Sequence, residues 1–424
     1  MKTHALFTSL KNLSGNPRGC VYPEPLWGIP YNLYFPYASI YMVAIGLADS
    51  EIGLILSISW FFQIILALLS GVITDKMGRR LTTLIFDIFA WSIPALISAL
   101  AQNFWFFLAA GILNSVWRIT QNSWTCLLVE DANPREIVDI YTWIYIANQI
   151  SGFVAPLAGI LISTYSLVPT VRGLYYFAAA MFAIKAIVTY LLTEETQQGK
   201  IRLQETRQES LGHILSGYGG VLKELLQTPQ TLFTAGIMLM ISITNMISGS
   251  FWAILVTEKL HVPAESLSFF PFMKSGIILL FFFSVLPIIK RMHFRKPLII
   301  GFITYLFSAM LLILAPEQNY FFLIISVFLE SCAFATVIPL LDQMVVLTIN
   351  PKERARIQSI MYVGIILLTS PFGWIAGILS DMNKNFPFVL NIILFALGAF
   401  LASRAGKYAQ QREAMQTEGI SPTA

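Results

Sequence analysis

Charge is scarce in this chain, and that scarcity excludes most soluble classes. Of 424 residues, 12% are Asp, Glu, Lys or Arg and 56% are apolar, whereas soluble domains carry about 25% charge. A water-soluble enzyme of this length would be two or three domains, each needing more charge to cover its surface. Disorder is excluded for the opposite reason, since there is abundant apolar surface to bury. Cysteine is rare too. Cys20, Cys126 and Cys332 have no spacing that suggests a disulfide framework or a zinc site. The four histidines are scattered with no pair at metal-ligand spacing, so neither metal nor cofactor is expected. No GxxxxGK[ST] run occurs, which leaves no ATP-driven engine in this chain. The first 26 residues hold Lys2, Lys11 and Arg18 but no apolar core, so no cleavable signal peptide is read there.

What is abundant is long apolar runs. Cut at Gly, Pro and charge clusters, they predict twelve spans at roughly 27–47, 51–73, 81–101, 104–127, 137–163, 171–192, 231–257, 266–288, 297–315, 319–346, 357–379 and 386–404. The expected class is an all-α polytopic membrane protein solvated by the lipid bilayer. Its connections are short except 193–230, which divides the chain into six-span halves, 1–192 and 231–424. Within that linker Leu211, Ile214, Leu215, Tyr218, Leu222 and Leu225 recur at three- and four-residue steps, predicting an amphipathic helix on the inner membrane surface. Lys and Arg concentrate at the N-terminus, the C-terminus and alternate connections, with Arg172, Lys259 and Lys384 alone in the others. Positive residues mark the inside. Both termini are therefore expected in the cytoplasm.

The halves repeat. Gln102-Asn103-Phe104 returns as Gln318-Asn319-Tyr320, Asn133-Pro134-Arg135-Glu136 as Asn350-Pro351-Lys352-Glu353, and Ala158-Gly159-Ile160-Leu161 as Ala376-Gly377-Ile378-Leu379. One order at one offset marks a duplication, and an even number of spans between copies makes them parallel.

Between the second and third spans stands Gly71-Val72-Ile73-Thr74-Asp75-Lys76-Met77-Gly78-Arg79-Arg80. The glycines allow a tight turn and close helix approach, and Asp75 can cap a helix or pair with Arg79. At the repeat offset, Pro287, Arg291, Arg295 and Lys296 keep the basic pair without the glycines or the acid. The decapeptide resembles the GxxxD(R/K)xGRR loop signature of the major facilitator superfamily, at the position that family requires. The resemblance implies two six-helix bundles and a secondary transporter working by alternating access, with Gly71, Asp75, Gly78, Arg79 and Arg80 as a cytoplasmic latch. It names no substrate.

Polar residues inside apolar spans are expensive and therefore informative. The fourth span carries Asn114, Arg118, Gln121 and Thr125 at helical spacing, a polar stripe in which Arg118 either holds an anionic substrate group or hydrogen-bonds backbone carbonyls. Arg118-Ile119-Thr120-Gln121 resembles the RxxQG element of proton-coupled members, with Asn122 in place of glycine. Glu330 in the tenth span is either a titrating carboxylate or the partner of Lys274 in the eighth. Asp87 is expected to face the loop basics and Lys185 to snorkel. In the first span Asn32, Tyr34, Tyr37 and Tyr41 suggest a ring-lined wall, and Asn245 and Trp252 stand in its repeat partner. Ser151 to Gly159, with Pro156 and Gly159, loosely resembles the family's GxxxGPxxGG antiporter motif. Pro371, Gly373 and Gly377 are the counterparts in the eleventh span, all read as helix-bend positions. The expected function is secondary transport of a small organic solute in the plasma membrane, proton-coupled or passive. The chain is expected to act as a monomer, with no nucleic-acid partner. A non-transporting sensor or assembly factor of the same fold is the alternative.

Overall fold

The structure is a computed structural model describing residues 10–11, 13–133, 136–206, 229–285, 295–348 and 354–417. Among these, every regular element is helical. The described residues of Met1–Leu215 with Pro263–Ser275 form one compact unit, and those of Ser216–Val262 with Gly276–Ala424 form the other. The linker helix expected at Leu211–Leu225, the basic group from Pro287 to Arg291, and Asn350-Pro351-Lys352-Glu353 lie outside the described residues.

The first unit holds α1 (Gly15–Val21), α2 (Glu24–Tyr34), α3 (Ala38–Ala44), α4 (Asp49–Met77), α5 (Arg79–Asp87) and α6 (Ile93–Ala99). It continues with α7 (Phe104–Asn114), α8 (Trp117–Val129), α9 (Ile137–Gly152), α10 (Pro156–Tyr165), α11 (Leu167–Leu192) and α12 (Gln197–Glu205). The second unit is built on α13 (Pro229–Ile254), the later part of α14 (Phe269–Ser284), α15 (Arg295–Leu314), α16 (Tyr320–Thr348), α17 (Arg354–Met382) and α18 (Phe386–Thr417).

Among the described residues, ten helical stretches are long and apolar enough to cross a membrane. Two of the twelve expected spans, 27–47 and 104–127, are not among them, because the chain breaks within each. In the first, Pro36 brings no N–H and the chain tightens into a 3₁₀ turn over Phe35–Tyr37 between α2 and α3. The second breaks at Ser115-Val116 with no proline. Ser115 Oγ donates to the carbonyl of Ser59 at 2.8 Å and to that of Gly111 at 3.0 Å, so a side chain competes with the helix ladder there. Discontinuous helices are where membrane transporters place freed backbone groups.

The repeat is visible in hydrogen bonds. Asn103 Oδ1 accepts from the amide of Trp105 at 3.1 Å, and Asn319 Oδ1 accepts from that of Phe321 at 3.1 Å. Each asparagine caps its helix in the same way. In the second unit Leu298, Phe302, Val337 and Ile237 are fully buried where α13, α15, α16 and α18 meet. Lipid offers no hydrophobic drive between helices, so such cores hold by close packing.

Candidate functional site

The decapeptide closes on acids from two other helices. Gly78 takes φ +83°, and a Cβ there would lie 2.6 Å from a carboxylate oxygen of Glu195, so glycine is required at this turn. Gly71 differs: a Cβ there meets nothing within 4 Å, and the close approach expected of it is not used. Arg79, 4% exposed, pairs with Asp75 at 3.0 Å and donates Nε and Nη2 to Glu130 at the end of α8 at 3.2 Å. Glu195, just past α11, accepts the backbone amides of Arg79 at 2.9 Å and Arg80 at 3.1 Å, charge-assisted bonds at a helix N-terminus. The Arg80 guanidinium lies 3.9 Å over the Tyr190 ring and donates to the Tyr190 carbonyl. Beneath them Thr206, just past α12, donates to the carbonyl of Asp75 at 3.2 Å. Glu130 and Glu195 carry no local motif. Their only signal was that each belongs to an adjacent acidic pair, Glu130-Asp131 and Glu194-Glu195, just past a span.

The divided fourth segment splits its polar stripe. Asn114 spends its amide on the Ala90 carbonyl at 2.8 Å, which belongs to a π-helical turn at Ile88–Ser92. Arg118, beyond the break and half-buried, donates to Gln63 at 2.9 Å and Gln121 at 3.1 Å and stacks over Trp117 at 4.0 Å. Gln63, 6% exposed on α4, is the acceptor that no spacing argument offered. Two neutral amides and a ring face thus orient the Arg118 guanidinium. Asn32 bonds the Gly28 carbonyl of its own helix at 2.8 Å. Tyr34 packs against Tyr175 at 4.6 Å with the rings tilted by 35°, and Tyr37 is fully buried. Trp27 packs against Tyr31 at 4.6 Å and Trp91 at 5.1 Å, and of the rings expected to line a cavity Tyr34 and Tyr41 both pack on Tyr175 of α11. Tyr41 donates to the Ser98 carbonyl at 3.0 Å.

Two residues depart from expectation. Lys185 does not snorkel: it is 6% exposed and its Nζ lies 2.8 Å from Oδ2 of Asp87, itself 2% exposed. Asp87 therefore pairs with α11 and not with the loop basics.

In the second unit α13, α15, α16 and α18 surround a small polar cavity of about 20 Å³, room for about one water-sized group. Its wall includes Asn245, Ser248 and Trp252 from α13, Tyr305 from α15, Glu330 from α16 and Asn391 from α18. Ser308 and Ser326 bond each other's carbonyls at 2.8 and 2.9 Å and close one side. Tyr305, stacked on Phe395 at 4.7 Å, leaves its buried hydroxyl without a hydrogen-bond partner among the described residues. So does Oδ1 of Asn391, whose amide donates to Ser248 at 3.1 Å. Buried polar atoms left unpaired are uncommon and costly. A carboxylate facing a phenol, two amides and a serine suits a proton, a water or a polar ligand atom.

The helix-bend positions behave differently in the two units. α9 stops at Gly152 and α10 resumes at Pro156. A Cβ on Gly159 would collide with the carbonyl of Glu265, so this glycine admits the turn at Ala264–Ser268. α17 runs unbroken through Pro371, with Gly373 and Gly377 buried. Lys274, half-buried on α14, belongs to the first unit, and Glu330 to the second.

Known proteins agree with this architecture. The model of the Major Facilitator Superfamily matches residues 28–316. Two curated relatives are an uncharacterized MFS-type transporter, YqjV of Bacillus subtilis, and the multidrug resistance protein MdtG of Serratia proteamaculans. The first is 27% identical over 158 residues, covering 35% of this chain and 38% of the relative. The second is 26% identical over 178 residues, covering 40% and 42%. The matched region spans about two fifths of those relatives. Among solved structures, a mutant of the nucleoside transporter NupG shares the fold at TM-score 0.72 and 15% identity, covering 93% of this chain and 99% of NupG. A POT family transporter in complex with a thioalcohol-conjugated peptide shares it at 0.70 and 12%, covering 95% and 99%. The chain belongs to the major facilitator superfamily and is a multi-pass membrane protein.

Proposed function

We propose that the protein is a secondary transporter that carries a small organic solute across the cell membrane by alternating access. Its halves, 1–192 and 231–424, are joined by 193–230, and both termini face the cytoplasm. The observation that carries this reading is the polar cavity around Glu330, whose wall includes the buried Tyr305 hydroxyl and Asn391 Oδ1, both without a hydrogen-bond partner among the described residues. Carboxylates at such depth are functional by default. Glu330 supplies a polar contact to the solute there, and Arg118, oriented by Gln63 and Gln121, holds an anionic or strongly polar group of it. The Asp75 loop is the latch on the cytoplasmic side. The relatives and structural neighbours, a multidrug resistance protein and transporters of nucleosides and peptides, support an organic solute.

The test is a thermal-shift screen of purified protein against metabolites and drugs, since a ligand that binds only the folded state raises apparent stability by about 2.7 kcal/mol at a hundredfold excess over Kd. Glu330→Gln is expected to weaken that ligand's affinity. A ligand found and then moved independently of any pH gradient would make the protein a passive facilitator. Ligand binding without any flux would make it a sensor.

A further inference from the structure

Three ionisable side chains share a buried site in the first unit that the transport reading has not used. Asp87 of α5 and Lys185 of α11 form the ion pair already described. The third is Glu24, the first residue of α2, 8% exposed, with Oε2 buried and lacking any hydrogen-bond partner among the described residues. The charges acting on it are Lys185 and Asp87, and Lys185 feels Glu24 in turn. The thiol of Cys20 on α1 also adjoins the group, but burial pushes it up to about 12 and keeps it neutral. The indole of Trp124 on α8 lies 5.6 Å from the ammonium and adds no charge.

Two carboxyls therefore compete for one ammonium. Asp87 holds it at 2.8 Å, so an ionised Glu24 would be a second negative charge in the same desolvated site, which burial and like-charge repulsion disfavour. Lys185 and the N-terminus of α2 favour ionisation instead. Opposed influences of this kind leave a carboxyl able to change its proton when the site rearranges, unlike one held by a single dominant partner. An ion pair kept only for structure has no need of an extra acid with an unsatisfied oxygen.

We propose that Glu24 is a proton-binding site, and that the proton coupled to solute movement is taken up there as Lys185 is shared between Asp87 and Glu24. The proposal rests on the transport reading for its role, but proton binding itself is measured without any solute. The probe is N,N′-dicyclohexylcarbodiimide, to which a protonated buried carboxyl adds, its proton passing to the carbodiimide nitrogen. Labelled residues are identified by peptide mass spectrometry of purified wild-type protein from about pH 5 to about pH 9, the range buried carboxyls reach.

Expected is an adduct on Glu24 at acidic pH that is lost as pH rises. Asp87→Asn should move that loss at least tenfold in proton concentration toward acid, because Lys185 is released to Glu24. The thermal midpoint supplies a second readout. A carboxyl that holds its proton longer folded than unfolded makes stability fall as pH rises, so Glu24→Gln should flatten that fall. In vesicles, the ratio of solute uptake with and without a proton gradient should drop to one in Glu24→Gln. The proposal is overturned if Glu24 is unlabelled at every pH, labelled equally throughout, or if Glu24→Gln keeps the wild-type pH slope or the wild-type uptake ratio. Absence of any solute flux in the wild type would remove the transport reading while leaving the labelling result to stand.

Discussion

Arg79 and Glu130, fifty-one residues apart, meet through both Nε and Nη2 of the guanidinium at 3.2 Å, with the arginine side chain 5% exposed. That bidentate contact fixes the turn after α4 to the end of α8, while Asp75 adds a second, more open partner whose side chain is 27% exposed. Glu130→Gln should therefore lower the stability of the purified protein by about 1.5–3 kcal/mol, the range for a hydrogen bond to a charged group. Asp75→Asn should cost about 1 kcal/mol or less, in keeping with its exposure. Thermal unfolding of both variants measures the difference. In transport, Asp75→Asn is expected to slow turnover more than it weakens solute affinity, and equal losses of both would count against a latch.

The two glycines of the same loop should separate. Gly78→Ala forces a side chain into a backbone conformation that favours glycine and onto Glu195, at a cost of about 1–3 kcal/mol. Gly71→Ala meets open space within α4 and should stabilise by about 0.4–1 kcal/mol. Midpoints that move together in sign would show that the turn geometry is misread.

Lys185→Met leaves Asp87 buried without its cation. Breaking such a pair on one side costs about 3–5 kcal/mol, whereas replacing both partners is often near neutral. Yield and thermal midpoint should fall in Lys185→Met and largely recover in Asp87→Asn/Lys185→Met. A double variant as poor as the single one would mean that the pair acts through other contacts.

Tyr305→Phe removes a hydroxyl that has no partner among the described residues while keeping the ring stacked on Phe395. Stability should stay level or rise by about 1 kcal/mol, since the unmet desolvation of that group disappears. If the hydroxyl serves a ligand, affinity in the thermal-shift assay should drop about two- to tenfold. Unchanged affinity would place the ligand away from this cavity.

How much of this was legible from residues alone depends on range. The Gly71–Arg80 decapeptide, the repeated Gln-Asn pairs and the predominance of apolar helices are local patterns, and in the structure the decapeptide forms the turn at Gly78 and both asparagines cap helices. Long-range pairing is not written in any window. Lys185 and Asp87 lie ninety-eight residues apart, and each taken singly resembled a cation near a membrane face or an acid near basic loops. Glu130 and Glu195 looked like ordinary flanking charge until the turn at Gly78 brought Arg79 and Arg80 to them. The break at Ser115 escaped for a different reason: neither proline nor glycine marks it, and only a serine bonded to the neighbouring α4 backbone does. Proline was equally ambiguous, dividing the first segment at Pro36 and the fifth at Pro156, yet leaving α17 continuous at Pro371.

The most direct test of the account is solute uptake into sealed vesicles reconstituted with the wild-type protein, using the ligand that the thermal-shift screen identifies. The account predicts saturable uptake above that of protein-free vesicles, accelerated by an inward proton gradient and lost in Arg118→Ala. Uptake indistinguishable from protein-free vesicles at every gradient would contradict it.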